Sequence, residues 1–422
     1  MAAYNLQDML IRDPSLIAHM LAADPSLEHV NIEMLAYARK VFYFRYLISE
    51  GRGVISFLFP FRTIKKTSPG FLEAMILARN FECTDPRDCI FALWNLAQDK
   101  AGLDYTPIYT KSYEEVYAGF AQAWMMQHGA LDILGAVEAT QQSSDFYTKT
   151  PSWCPNWNVP STASSLVRKD YLPTRPMLGM HDLGGRLYST DGGVSQDLFE
   201  TPLFAFTGGQ LQVTGMIIDQ ITHVFEDAPD IPTGTAPKSR WRVHYLANAI
   251  NKHYHDHKLT TYDDVPRALK AMFHGDGVAA WPPVAESGYE PDTGGPEESY
   301  ACLPNLSRHV TQYAGSWDRT EAWTALDAVL RGRKPFVTVD GYMGLASAYL
   351  PDGDAALWSI AVVAGCSVPL ILREREGGTY ELVGSCFIQG WMDGEWMATM
   401  MEAESAKEFW EAVMDGAKIV IS

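Results

Sequence analysis

The chain has 422 residues and a formal net charge of −18. Its hydrophobic fraction of 47% and charged fraction of 20% are typical of a folded globular protein and exclude a disordered chain. The acidic balance argues against binding to nucleic acid or to an anionic membrane, because both repel a negatively charged protein. The six cysteines lie far apart without a CxxC pair, and neither a secretory signal nor an apolar run of membrane length is visible. These features predict a cytoplasmic protein with reduced thiols.

Residues 1–158 are predicted to be a mainly helical region, because capping residues recur just before apolar runs with helical spacing. Asp24-Pro25, for example, places an N-cap acceptor before a proline that fits the first helical turn. Ser112 and Glu115 form a capping-box pattern, which predicts a helix over about 112–128.

Residues 159–422 are predicted to be a mixed region of helices and strands. Short apolar runs separated by glycines predict strands from about 183 to 225, and further runs predict a strand-rich part at 335–396. Gly377-Gly378 supplies a hairpin turn between two of these runs. The segment 275–298 is rich in glycine, proline and acidic residues, which predicts a mobile loop. The predicted fold class is α+β, with a helical N-terminal layer packed on a strand-rich C-terminal region that could close into a barrel.

The segment 151–157, of sequence PSWCPNW, holds two tryptophans between prolines in a nonhelical stretch. Trp153 and Trp157 could form a rigid aromatic wall that binds an apolar or planar ligand. The alternative is that the segment is pinned into the core, where large aromatic side chains usually lie. If an apolar small molecule binds this protein, we expect it to lie against these tryptophans, with Arg373 as a polar contributor to substrate binding.

Charged residues near the C-terminus are candidates for catalysis. Asp393 and Glu395 lie in a predicted hairpin turn, where both carboxylates could point the same way and divide acid and base roles. An ordinary Asp-Gly turn with a solvated glutamate explains the same residues. Arg373 ends an apolar run and could bind an anionic group. An ion pair with Glu374, Glu376 or Asp393 is the alternative.

His253, His255 and His257 alternate in a segment with two candidate conformations. On a helix only His253 and His257 share a face, whereas on a strand all three would align. No carboxylate or cysteine completes an obvious set of metal ligands around them. The sequence also shows no glycine-rich dinucleotide motif, Walker loop, HExxH or GxSxG motif. We therefore predict that the protein uses no metal and no cofactor.

Several segments are distinctive when they are taken together and in order. In the N-terminal half they are Thr84-Asp85-Pro86-Arg87-Asp88, Ile90-Phe91-Ala92-Leu93, Asp104-Tyr105, Leu131-Asp132-Ile133-Leu134 and Pro151-Ser152-Trp153. In the C-terminal part they are Gly341-Tyr342-Met343-Gly344-Leu345, Gly353-Asp354, Pro369-Leu370-Ile371-Leu372-Arg373, Val383-Gly384 and Gly390-Trp391-Met392-Asp393-Gly394-Glu395. Over roughly residues 80–158 and 335–396, the chain resembles fungal heterokaryon-incompatibility (HET) family proteins.

The resemblance implies that this chain corresponds to the portion of these proteins that follows an N-terminal effector domain. That domain resembles TIR domains and carries the cell-death activity of fungal nonself recognition, and its hallmark stretches have no counterpart in residues 1–80. The resemblance therefore implies a noncatalytic recognition or regulatory module with a protein partner. The alternative is a stand-alone, cofactor-independent enzyme of fungal secondary metabolism that cyclises or isomerises an apolar substrate. Such an enzyme needs shape and a few positioned acids or bases, so it would leave no motif.

Overall fold

The structure is a computed structural model, and part of the chain is described by it. The described residues are 70–94, 108–139, 144–163, 165–167, 188–228, 238–273, 329–330, 332–347, 350, 353–400, 405–414 and 416–422. The predicted helix start at Asp24-Pro25, the segment Asp104-Tyr105 and the predicted mobile loop at 275–298 lie outside these ranges.

The described residues form eight α-helices and two short 3₁₀ helices. The α-helices are α1 (Phe71–Ala78), α2 (Asp88–Phe91), α3 (Tyr113–His128), α4 (Ser144–Tyr147), α5 (Lys238–His257), α6 (Val265–Phe273), α7 (Glu395–Met400) and α8 (Ala406–Val413). The 3₁₀ helices are Asp132–Ala136 and Gln196–Leu198. None of the helices in the described part of the chain is long and apolar enough to cross a membrane.

The helix α3 begins as its sequence predicts. The Ser112 Oγ accepts a hydrogen bond from the Glu115 N–H at 3.2 Å, and the Glu115 carboxylate accepts one from the Ser112 N–H at 2.9 Å. The helix ends at Gly129, whose φ of 58° is a left-handed conformation that favours glycine. The predicted capping box is therefore confirmed.

The described strands belong to one sheet. They are β1 (Phe204–Thr207), β2 (Gln210–Val224), β3 (Arg333–Thr338), β4 (Met343–Ser347), β5 (Gly353–Val363), β6 (Leu370–Arg375), β7 (Thr379–Ile388) and β8 (Lys418–Ile421). Together with the helices they confirm the predicted α+β class and the strand-rich C-terminal region.

Six of these strands close a ring of antiparallel pairs. β2 pairs with β3 through residues 221–224 and with β5 through residues 215–224, so this strand has neighbours on both sides. From β3 the pairing continues through β4, β7 and β6 to β5. β2 also carries two register shifts, and such bulges bend a strand and increase its twist. β1 and β8 pair with the first part of β2, outside the ring.

The two faces of the ring are buried in different hydrophobic clusters. Val337 and Leu345 belong to a first cluster that also contains side chains from α1, α3, α5 and α6. Their strand neighbours Phe336 and Ala346 point the other way and belong to a second cluster. The second cluster also contains side chains of the two C-terminal helices, α7 and α8. The inside of a six-stranded ring has room for side chains but not for the four helices of the first cluster, so the first cluster lies on the outer face. The second cluster lies on the inner face, with α7 and α8 at one end of the ring.

The segment 151–157 connects the helical region to the sheet. The Ser152 N–H donates to the carbonyl oxygen of Ser422 at 3.0 Å, and the Ser152 Oγ accepts from the Leu382 N–H at 2.9 Å. Ser152 and Leu382 are 230 positions apart, so the two parts of the chain that share the family resemblance contact each other. The predicted boundary near residue 158 stays a prediction.

Candidate functional site

Trp153 lies in the core of the molecule. Its side chain is 3% exposed, and its Nε1–H donates to the carbonyl oxygen of Gly209 at 3.1 Å. The ring also meets Phe206 edge to face, with 5.3 Å between the centroids. The tryptophan therefore attaches the β1–β2 turn to the segment 151–157.

Trp157 is buried in the same way, with 2% of the residue exposed. The guanidinium of the buried Arg79 lies over its ring, 5.4 Å from the centroid. Arg79 donates to the carbonyl oxygens of Asn156 and Val159, at 3.2 Å in each case. This placement favours the core interpretation of both tryptophans over the aromatic wall. A role in substrate binding stays a prediction.

Asp393 and Glu395 are exposed and lie where the turn after β7 leads into α7. The Glu395 carboxylate accepts a hydrogen bond from the Asp393 N–H at 2.8 Å. Glu395 is the first residue of α7, where the positive end of the helix favours a negative charge. The predicted hairpin turn is wrong, because the chain continues from this turn into a helix and not into a second strand. The predicted catalytic role of the two carboxylates stays a prediction.

Arg373 lies in the middle of a row of three residues on neighbouring strands. It is paired with Trp358 on β5 and with Glu381 on β7. Its guanidinium lies over the Trp358 indole, 5.5 Å from the ring centroid, and its Nε donates to the Oε2 of Glu381 at 2.8 Å. The Nη2 of Arg375 lies 3.1 Å from the same oxygen. We call these four residues, Trp358, Arg373, Arg375 and Glu381, the arginine cluster.

The register of β6 against β7 decides the partner of Arg373. Glu381 stands directly opposite it, whereas Glu374 points to the other side of β6 and Glu376 lies in the following turn. Asp393 lies beyond the far end of β7, and the strand after Glu381 spans about 23 Å. The predicted ion pair with Glu374, Glu376 or Asp393 is therefore wrong. For the same reason, the structure does not bring Arg373 together with the predicted catalytic pair.

The arginine cluster continues the inner face of the ring towards the β6–β7 hairpin. Ile371 and Val383, two positions before and after the paired charges, belong to the second hydrophobic cluster. The side chains of Arg373 and Arg375 are 46% and 48% exposed, whereas that of Glu381 is 11% exposed. Two guanidinium groups therefore share one carboxylate. Such groups bind carboxylates and phosphates through parallel hydrogen bonds.

The opposite end of the ring is closed by aromatic side chains, because α7 and α8 follow the C-terminal end of β7. Trp396 and Trp410 are buried and meet edge to face, with 6.3 Å between the centroids. Their Nε1–H groups donate to the carbonyl oxygens of Thr190 at 2.6 Å and Asp191 at 3.0 Å. Phe409 packs against both tryptophans. We call Trp396, Phe409 and Trp410 the aromatic end.

Asp191 is a buried acid beside the aromatic end. Its carboxylate accepts hydrogen bonds from the Gly365 N–H at 2.9 Å and from the Gly193 N–H at 3.0 Å. Burial raises the pKa of Asp191 to about 7, and the nearby charge of Asp132 acts in the same direction. No local sequence pattern marks Asp191 as buried, since an Asp-Gly-Gly run is typical of an exposed turn.

The histidines of α5 form a stack with one residue of β2. The His253 ring stacks on His223 with 4.7 Å between centroids and on His257 with 4.1 Å, whereas the His255 side chain is 89% exposed. Within the described ranges, no group of three or more His, Cys, Asp and Glu side chains is arranged to hold a metal ion.

Comparison with known proteins points to one family. Residues 307–410 match the family described as the Het-6 beta-barrel domain. The chain is also similar to heterokaryon incompatibility protein 6, OR allele, of Neurospora crassa, with 33% identity over 69 residues. That match covers 16% of this chain and 10% of the relative, so the chain spans about a tenth of the length of the relative that it matches. No solved structure matches the chain.

The matched range contains five of the six strands of the ring, β3 to β7, together with the arginine cluster. The resemblance that the sequence shows over 335–396 is confirmed by this match. The C-terminal part of this chain resembles the Het-6 β-barrel region of heterokaryon-incompatibility proteins.

Proposed function

We propose that this chain is a recognition or regulatory module in fungal nonself recognition and that it binds a protein partner in the cytoplasm. The observation that carries the proposal is that the Het-6 match contains five of the six strands of the ring. The relative from Neurospora crassa is named a heterokaryon incompatibility protein, which supports a role in the same process.

The arrangement of the charged residues supports binding more than chemistry. Arg373 and Arg375 are half exposed on a paired hairpin, where the sheet fixes their positions. Asp393 and Glu395 are joined by a local hydrogen bond at the start of a helix. Fixed charges on a rigid surface suit recognition, because complementary charges determine which partner is accepted.

The enzyme hypothesis gains no support from the same geometry. The cyclase or isomerase hypothesised from the sequence needs its aromatic wall and its acids around one substrate. Trp153 belongs to the first cluster, on the outer face of the ring, whereas Arg373 continues the inner face. Asp393 lies beyond the other end of β7. Neither the matched family nor the relative is named for an enzymatic activity.

A compatibility assay in the fungus of origin tests the proposed function. The coding sequence is deleted, and the deletion strain is paired with a panel of tester strains that react differently with the parent. We expect the deletion to change the reaction with at least one tester, measured as heterokaryon growth rate and cell death. Reintroduction of the wild-type gene should restore the parental reaction, and an empty cassette at the same locus should not. Identical reactions of parent and deletion strain across the panel would contradict the proposal.

A further inference from the structure

The arginine cluster carries more positive charge than its acid neutralises. The Nε of Arg373 and the Nη2 of Arg375 both approach the Oε2 of Glu381, at 2.8 Å and 3.1 Å. Two guanidinium charges and one carboxylate leave one positive charge unbalanced within the cluster. Each guanidinium has five N–H donors, and about half of each arginine side chain is exposed. The cluster can therefore donate further hydrogen bonds to a bound anion.

The cluster is also held in a fixed geometry. β6 and β7 are paired from Leu372–Leu382 to Arg375–Thr379, and Gly377 and Gly378 close the hairpin with φ values of 91° and 75°. The Trp358 ring supports the guanidinium of Arg373 from the neighbouring strand. Side chains positioned in advance lose less conformational entropy on binding, which favours affinity.

We propose that the arginine cluster binds an acidic segment of the partner protein, whose carboxylates neutralise the unbalanced charge. This inference rests on the proposed function, because it names the chemistry of the partner in that recognition. Arginine clusters recognise acidic motifs through charge-assisted and often bidentate hydrogen bonds.

A short peptide fits this surface better than nucleic acid or a membrane. An extended polyanion would also meet the rest of a chain with a net charge of −18, which repels it. A short segment can contact the cluster alone. Glu374 points to the opposite side of β6, and Glu376 lies in the hairpin turn, so the bound segment should lie on the side of Arg373 and Arg375.

Fluorescence anisotropy of the full chain with a fluorescein-labelled hexaglutamate peptide tests the inference at about 0.1 M salt, where the Debye length is about 10 Å. We expect the wild type to bind this peptide and not hexaglutamine. The variant Arg373→Gln with Arg375→Gln should bind at least about tenfold more weakly, because it removes the charge-assisted hydrogen bonds. The matched control is Lys149→Gln with Lys407→Gln, which removes two exposed positive charges outside the cluster. Its affinity should change by no more than about twofold, since distant surface charges are screened.

The variant Glu381→Gln provides a test of the opposite sign. It releases both arginines from their shared carboxylate and should strengthen hexaglutamate binding, whereas a purely structural cluster predicts weaker or unchanged binding. Circular dichroism checks that each variant is folded, and Glu381→Gln alone decides the matter if the double arginine variant does not fold. The inference is wrong if the wild type does not bind hexaglutamate, or if Glu381→Gln weakens binding or leaves it unchanged. Equal losses in the two double variants would also contradict it, as would equally tight binding of single-stranded DNA of the same net charge.

The compatibility assay separates this inference from the proposed function. If deletion of the gene changes no reaction, the proposed function fails whatever the anisotropy shows. If deletion has an effect but the double arginine variant keeps the parental reaction despite its lost peptide binding, only the assigned partner chemistry fails.

Discussion

The two ends of the ring differ in what fills them. At the aromatic end, Trp396, Phe409 and Trp410 are buried, and both indole N–H groups have backbone partners. At the other end, Arg373 and Arg375 are half exposed and share one carboxylate. Both ends belong to the same sheet, so strand pairing alone does not make an end stable or reactive. The aromatic end therefore contributes mainly to stability, whereas the end with the arginine cluster has charge left for binding.

The largest difference in the free energy of unfolding should come from substituting one tryptophan at each end of the ring. Trp410→Ala should lower the free energy of unfolding by about 3–5 kcal/mol, because it leaves a cavity in a packed core. Trp358→Ala should cost less than half as much, since Trp358 is only partly buried. Urea denaturation measures both, and Trp410→Phe serves as a control that keeps an aromatic ring. Equal losses for the two alanine variants would remove the distinction between the ends.

A rise in pH should lower the free energy of unfolding through Asp191, the buried acid beside the aromatic end. Its pKa in the folded protein is about 7 against 3.8 for the free side chain, so the folded state keeps a proton that the unfolded chain has lost between those values. The free energy of unfolding should therefore fall as the pH rises from about 4 to 7, by up to about 4 kcal/mol from this group. Urea denaturation at several pH values should show a flatter profile for Asp191→Asn. Parallel profiles for the variant and the wild type would show that Asp191 is not the cause.

The ion pair between Arg373 and Glu381 in the arginine cluster should contribute little to stability. A double-mutant cycle with Arg373→Gln and Glu381→Gln should give a coupling free energy of about 1 kcal/mol or less, because water screens a half-exposed arginine. The free energies of unfolding are measured by urea denaturation, because guanidinium chloride is a salt and would screen the ion pair. A coupling of about 3 kcal/mol would mean that this end is also a structural element, which would weaken the contrast.

The smallest effect should come from the exposed pair Lys407–Glu411 on α8, which are 3.5 Å apart at i,i+4 spacing. Lys407→Gln should change the free energy of unfolding by about 0.5 kcal/mol or less. The same urea titrations measure it, and they set the lower limit against which the cluster variants are judged. A larger loss would show that α8 depends on surface charge and not only on its buried aromatic residues.

The residues of the candidate site were partly predictable from the sequence. Arg373 stood out because it ends an apolar run, but its partner Glu381 did not, since the pairing depends on the register of β6 against β7. Trp153 and Trp157 were recognisable as rigidly held, although the same prolines and aromatics suit a ligand wall and a core equally well. Their burial depends on what the rest of the chain places against them, and no local pattern carries that information.

The amino-acid sequence alone predicts the features whose interactions lie within a few residues. These are the capping box of Ser112 and Glu115, the glycine turn at 377–378 and the α+β class, because caps, turns and periodicity follow from local chemistry. Three features are visible only in the folded protein: the closure of the ring, the burial of Asp191 and the sharing of Glu381 between two arginines. Each of these joins residues from different strands or loops, so it depends on register and packing across the whole chain.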